Sequence, residues 1–236
     1  ANRNTKFIYT IPDFQNPTGI TMSLARRKRI VELANEYDVM ILEDIPYREI
    51  RYEGEALPSI KSFDTHGRVI QLGSFSKILS PGMRLGWVVA EPLLAEKLCL
   101  LKMAADTQNS TMNMYAADRF MEMYDIDEHI ERIRKAYKAK KDLMLRTIRS
   151  EFPENVSFTD PQGGLFTWLT LQKDIDTTWL MKERTLPEVK VAYVPGASFY
   201  PVNEERNHCR INYSCMSDEK IVEGITKLGK ILKEYC

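Results

Sequence analysis

A chain of 236 residues can bury a large core, enough for one domain and part of a second. With 44% hydrophobic and 28% charged residues it reads as soluble and globular, not disordered. Lys plus Arg and Asp plus Glu balance at 33 each, which removes the electrostatic ground for nucleic acid or an anionic membrane as a partner of this segment.

Phe7–Thr10 is a short β-rich run that leads into the loop IPDFQNPTG. Ser23 is placed to cap a helix over LARRKRIVELANEY, where Leu24, Ile30, Leu33, Ala34 and Tyr37 form an apolar stripe. VMILED is an apolar run of strand length that ends in carboxylates. A polar stretch with breakers at Pro58 and Gly67 separates it from VIQLGSFSK, and LGWVVA follows the Pro81-Gly82 turn. Strands that are apolar throughout, separated by helices or long crossovers, argue for a parallel sheet covered on both faces. Ligands of such sheets sit outside the carboxyl ends of the strands. Asp44, Ser74 and Lys77 fall at or just past such ends.

Pro92 to about Ser150 reads as two or three helices, the longest being DIDEHIERIRKAYKAKKDLMLRTIRSEF. Its charge run is a solvated face, with His129 as a surface residue. After Pro153 the texture changes to short strands between Gly/Pro turns: VSFTD, GGLFTWLTL, VKVAYV and CRINYS, with one helix near Thr177–Arg184. A last helix runs from Ser217 to Glu234, with Ser217 as cap and Asp218 and Glu219 in its first turn. The most apolar stretch, WVVAEPLLAEKLCLL, is broken by Glu91, Pro92, Glu96 and Lys97, so no membrane span is expected. Cys99, Cys209, Cys215 and Cys236 form no C-x-x-C pair, and no histidine lies at metal spacing. No metal site is expected, and the cysteines read as reduced thiols of a cytoplasmic protein.

The residues at strand ends carry the chemistry. Taken singly each is ordinary: Asp44 as a loop cap, Lys77 as an exposed lysine, Arg210 in a surface ion pair. Together, Asn16, Asp44, Tyr47, Ser74, Ser76, Lys77, Arg84 and Arg210 match the needs of pyridoxal phosphate. That cofactor requires a lysine for a Schiff base with its aldehyde and a carboxylate to keep the ring nitrogen protonated. It also requires donors at the ring hydroxyl, and hydroxyls, an arginine and backbone N–H groups for the phosphate. Tyr47, Phe166 and Tyr200 stand near these motifs as aromatics that are core residues more often than pocket lining.

In YTIPDFQNPTG, ILEDIPYREIRY, SFSKILSPGMRLGW, PQGGLFTW, VPGASFY and RINYS, taken in that order, the chain resembles the fold-type-I pyridoxal-phosphate aminotransferases of class I/II. The branch it is most similar to holds 2-aminoadipate and aromatic aminotransferases and the aminotransferase-like domains of MocR regulators. The resemblance implies an α/β fold of the aspartate aminotransferase type. Residues 1–146 would be the C-terminal part of the large cofactor-binding domain, with a mostly parallel sheet and the interdomain helix, and residues 147–236 the small α+β domain. It implies Lys77 as the Schiff-base lysine and proton shuttle, and Asp44 as partner of the ring nitrogen. Asn16 and Tyr47 would serve the ring hydroxyl, Ser74, Ser76 and Arg84 the phosphate, and Arg210, with Asn16, the substrate carboxylate. The loop's need to turn Asn16 toward the ring makes Asn16–Pro17 an expected cis peptide.

The implied activity is transfer of an amino group between an amino acid and a 2-oxo acid, by a homodimer in the full-length protein. A β-lyase or decarboxylase on the same scaffold, a ligand-sensing domain of a MocR-type transcription regulator, and an inactive fragment stand as alternatives. Members of the family carry a long N-terminal portion ahead of the NPTG loop, and Ala1–Thr10 holds no shortened substitute and no signal peptide. With the non-Met start, this reads as a truncated or cleaved product whose sheet edges need cover from another segment or from self-association.

Overall fold

The computed structural model describes residues 5–202 and 205–235; Cys236 lies outside them, and Cys99, Cys209 and Cys215 are free thiols. The chain divides into two compact units, Ala1–Gln15 with Thr21–Ile133, and Asn16–Ile20 with Arg134–Cys236.

In the first unit, β1 (Phe7–Thr10), β2 (Met40–Asp44), β3 (Val69–Ser74) and β4 (Gly86–Val89) form one sheet in the order β1-β2-β3-β4. β1, β2 and β3 are parallel, as the apolar runs predict, whereas β4 is antiparallel to β3. The reason is chain length. A parallel return needs a crossover of a dozen or more residues, and Phe75–Leu85 is too short for one.

Helix α1 (Leu24–Tyr37) starts where Ser23 Oγ accepts the Arg26 N–H at 3.4 Å and ends where Asp38 turns left-handed at φ 56°. Its buried stripe is Arg27, Val31 and Ala34, whereas Leu24 and Tyr37 of the expected stripe are exposed. Val31 and Ala34 pack with Ile41, Ile60 and Val69. Arg27 is fully buried because every guanidinium nitrogen finds an acceptor. Asp13 takes two bonds, at 2.6 and 3.2 Å, and the carbonyls of Pro12, Pro58 and Met22 take the others at 3.0–3.1 Å. The fully buried Glu43 of β2 likewise accepts from the N–H groups of Ile60 and Lys61 and from Gln71 Nε2, at 2.6 to 3.0 Å. Strand alternation then sends its neighbour Asp44 to the opposite face.

Three helices follow: α2 (Pro92–Ala105), α3 (Thr111–Met123) and α4 (Ile126–Glu151). His129 corrects the surface reading: it is half-buried, with its ring edge-on to Phe120 at 5.4 Å. The division between the units falls inside α4, and residue 146, the boundary read from the sequence, lies further along the same helix.

The second unit is built on an antiparallel sheet of β5 (Ser157–Phe158), β6 (Phe166–Thr170), β7 (Val194–Pro195) and β8 (His208–Asn212), in the order β5-β6-β8-β7. The helix expected near Thr177–Arg184 is α5 (Thr177–Leu180), capped by Asp176, then a wide π turn over Met181–Thr185, then α6 (Leu186–Val189). VKVAYV is not the strand its composition suggests. Val189 ends α6, Lys190 is left-handed at φ 61°, and the Val191 N–H returns to the Thr185 carbonyl, leaving only Val194 in β7. Helix α7 (Asp218–Leu232) has Ser217 as its cap and buries Ile221, Ile225, Leu228 and Leu232 at helical spacing. No described helix is long and apolar enough to cross a membrane.

Candidate active site

On the first unit the relevant side chains stand at the carboxyl ends of β2 and β3. Asp44, the last residue of β2, is in register with Leu72, and the Ile45 N–H still bonds the Leu72 carbonyl at 2.9 Å. The chain then turns through Pro46–Glu49, which buries Tyr47. Strand β3 ends at Ser74 and runs into a single helical turn, in which the Leu79 and Ser80 N–H groups bond the Phe75 carbonyl at 2.8 and 3.1 Å. Ser74 Oγ accepts the Ser76 N–H at 3.1 Å, so the hydroxyl caps the turn that carries the half-buried Lys77.

Two glycines allow this corner. A Cβ on Gly73 would collide with the Trp87 indole, and one on Gly86 would stand 2.7 Å from the Gly73 carbonyl oxygen. With neither present, the Trp87 ring crosses β3 and meets Phe75 edge-on at 5.1 Å. The Pro81–Met83 turn then leads to Arg84, which is left-handed at φ 53°, exposed, and donates to the Pro81 carbonyl at 3.1 Å. Hydroxyls and amides at the start of a turn, with an arginine on the return strand, make a donor set suited to a phosphate dianion. A carboxylate and a lysine at the carboxyl ends of two adjacent strands add the two groups a pyridine aldehyde needs, so the residues present fit pyridoxal phosphate.

On the second unit, Arg210 of β8 donates from Nη1 to Asn16 Oδ1 at 2.7 Å. Its guanidinium lies over the Phe166 ring at 4.2 Å and near that of Phe199 at 5.6 Å. Arginine has no acceptor, so the Asn16 oxygen must face it, and the Asn16 amide N–H groups are aimed elsewhere. The Asn16–Pro17 bond is cis, as expected. Gly19, at φ 72°, lets the loop close on the Phe166 carbonyl and Pro161, where a Cβ would come within 2.9 Å of both. Phe166 is buried, and Tyr200 is half-buried against His208.

Asp44, Tyr47, Ser74, Ser76, Lys77 and Arg84 therefore belong to the first unit, and Asn16 and Arg210 to the second, already hydrogen-bonded to each other. Two features have no place in the sequence reading. One is the Asp13–Arg27 pair beneath the IPDFQ segment, for which Arg27 on one helical face with Val31 and Ala34 is the only local signal. The other is Tyr9, whose hydroxyl donates to Asp44 Oδ2 at 2.5 Å and for which no local signal exists.

Residues 2–228 match the family model for aminotransferase class I and II. The chain is 45% identical over 98% of its length to "Aromatic-amino-acid aminotransferase 1" of Thermococcus litoralis, covering 55% of that protein. It is 30% identical over 99% of its length to "HTH-type transcriptional regulator NorG" of Staphylococcus aureus, covering 52%. Among solved structures it is similar to the α-aminoadipate aminotransferase LysN of Thermus thermophilus, complexed with N-(5'-phosphopyridoxyl)-L-leucine. There the TM-score is 0.91 at 37% identity, over 97% of this chain and 59% of that one. The chain thus spans about half the length of the curated relatives it matches.

Proposed function

Because the chain belongs to the aminotransferase class I and II family, we propose that it is part of a pyridoxal-phosphate-dependent aminotransferase that moves an amino group between an amino acid and a 2-oxo acid. One observation carries this reading: Asp44 closes β2 next to the Ser74–Lys77 turn that closes β3. The bound cofactor supplies an electron sink for the bond being broken at the substrate α-carbon. Lys77 is the point of covalent attachment and the base that takes and returns the α-proton. Asp44 holds the proton of the ring nitrogen. Tyr47 and the Asn16 amide donate to the ring hydroxyl. Ser74, Ser76 and Arg84 hold the phosphate. Arg210, seated on Phe166 and pinned by Asn16, presents its planar fork to the substrate carboxylate, which a lysine could not reproduce.

Residues 1–146 then form the C-terminal part of the large domain and residues 147–236 the small one. The exposed Leu98, Leu101 and Met103 of α2 and Val88 of β4 favour a homodimeric full-length protein that covers them. The free thiols favour the cytoplasm, and amino acid biosynthesis is the setting for such a transfer.

The regulator among the relatives supports a second reading, a ligand-sensing domain of a MocR-type transcription regulator. Full-length protein loaded with pyridoxal phosphate, reduced with borohydride and digested, should carry its label on Lys77, and Lys77→Ala should lose the visible absorption band. Label on another residue overturns the site. Label on Lys77 with no amino transfer to any 2-oxo acid, and with specific DNA binding, establishes the regulator instead.

A further inference from the structure

We propose that Tyr9 is a positioning residue for Asp44: its hydroxyl ties down one carboxylate oxygen, so that the other is presented to the ring nitrogen of the cofactor. The inference rests on the reading of Asp44 given above. Tyr9 of β1 is in register with Leu42 of β2, and Asp44 lies two residues further along β2, on the same face. The phenol is long enough to span that one step, and its hydroxyl reaches Asp44 Oδ2 at 2.5 Å, the short distance of a charge-assisted bond. In this chain the Tyr9 ring is 54% exposed, so among the described residues its bond to Asp44, not packing, sets its position.

The chemistry of the pair is one-directional. Partial burial first, and then the hydrogen bond to Asp44, push the Tyr9 phenol further above its ordinary value, so it remains a donor at any physiological pH. An ionised carboxylate only accepts, which settles which group gives the proton. The terminal torsion of an aspartate is broad, because it joins an sp³ to an sp² atom. A carboxylate held only by its strand would sample many planes. With Oδ2 held by Tyr9, Oδ1 is left in a single plane for a second donor.

The test uses full-length protein and two probes, pyridoxal 5'-phosphate and its 1-deaza analogue, in which a C–H replaces the ring nitrogen. Dissociation constants come from spectral titration. Asp44→Ala should weaken pyridoxal phosphate strongly and the deaza analogue little; equal affinity for pyridoxal phosphate with and without Asp44 would sink the parent reading of Asp44. Given that first result, Tyr9→Phe should weaken pyridoxal phosphate roughly ten-fold, the scale of losing one hydrogen bond to a charged group. It should leave the deaza analogue within about two-fold, and add nothing in the Asp44→Ala background. The inference is overturned if Tyr9→Phe leaves pyridoxal phosphate within two-fold. It is equally overturned if both probes weaken together, since a packing or folding defect does not discriminate between a ring nitrogen and a ring C–H.

Discussion

The two units hold themselves together by different means. The second has a conventional apolar interior. Every residue from Phe166 to Leu169 of β6 is buried, and α7 turns Ile221, Ile225, Leu228 and Leu232 inward. The first has an apolar cluster of Val31, Ala34, Ile41, Ile60 and Val69 with further buried residues such as Phe14 and Ile50, and adds buried charges that fasten its loops. Asp13–Arg27 anchors the segment after β1, and Glu43 gathers the N–H groups of Ile60 and Lys61. No residue of its α2 is fully buried, and all of β4 is exposed. A unit that carries a strand-edge site needs loops held in place, and hydrogen bonds to charge hold a loop in one geometry where apolar contacts only favour burial.

That contrast can be broken most directly at Arg27. Arg27→Ala strands the Asp13 carboxylate in the interior and should cost about 3–5 kcal/mol in urea unfolding. A loss below about 1 kcal/mol would mean that the pair is not what fastens the loop. In the second unit, Leu228→Ala should cost about 2–5 kcal/mol. In the 236-residue chain by itself, Leu101→Ser in the exposed α2 should stay within about 0.5 kcal/mol while raising solubility. Equal losses at Leu228 and Leu101 would erase the difference between the units.

The loop before β3 is tested by pH. Burial alone would raise the Asp64 carboxyl, but the Lys61 hydrogen bond, and then the N–H groups of Val69, Arg68 and His66, outweigh it and hold the group at about 2. A carboxyl lowered by folding contributes stability that is complete above its ordinary value near 4 and is lost as pH falls toward 2. Asp64→Asn should therefore remove about 1–2 kcal/mol at neutral pH and flatten the acid limb between about pH 4 and pH 2. An unchanged acid limb would show that Asp64 does not sustain the loop before β3.

Much of this was legible locally. Ser23 and Ser217 start their helices as capping chemistry dictates, because a cap is a contact within three residues. The misreadings have one cause. Hydrophobicity places Leu24 and Tyr37 in the stripe of α1, whereas Arg27 is buried only because Asp13 and three carbonyls surround it. VKVAYV has β-rich composition, yet a left-handed residue and a bond back to Thr185 commit it to a helix end.

From the sequence alone came the strand ends, the residues standing on them, the cis Asn16–Pro17 bond and the family, since each is written in a short run of neighbours. Only the tertiary structure decided the seating of Arg210 between Asn16 and Phe166, and the hydroxyl of Tyr9 on Asp44. These pair residues tens to hundreds of positions apart along the chain. Such partners are chosen by which strands lie side by side and which faces they share, and neither periodicity nor propensity carries that information.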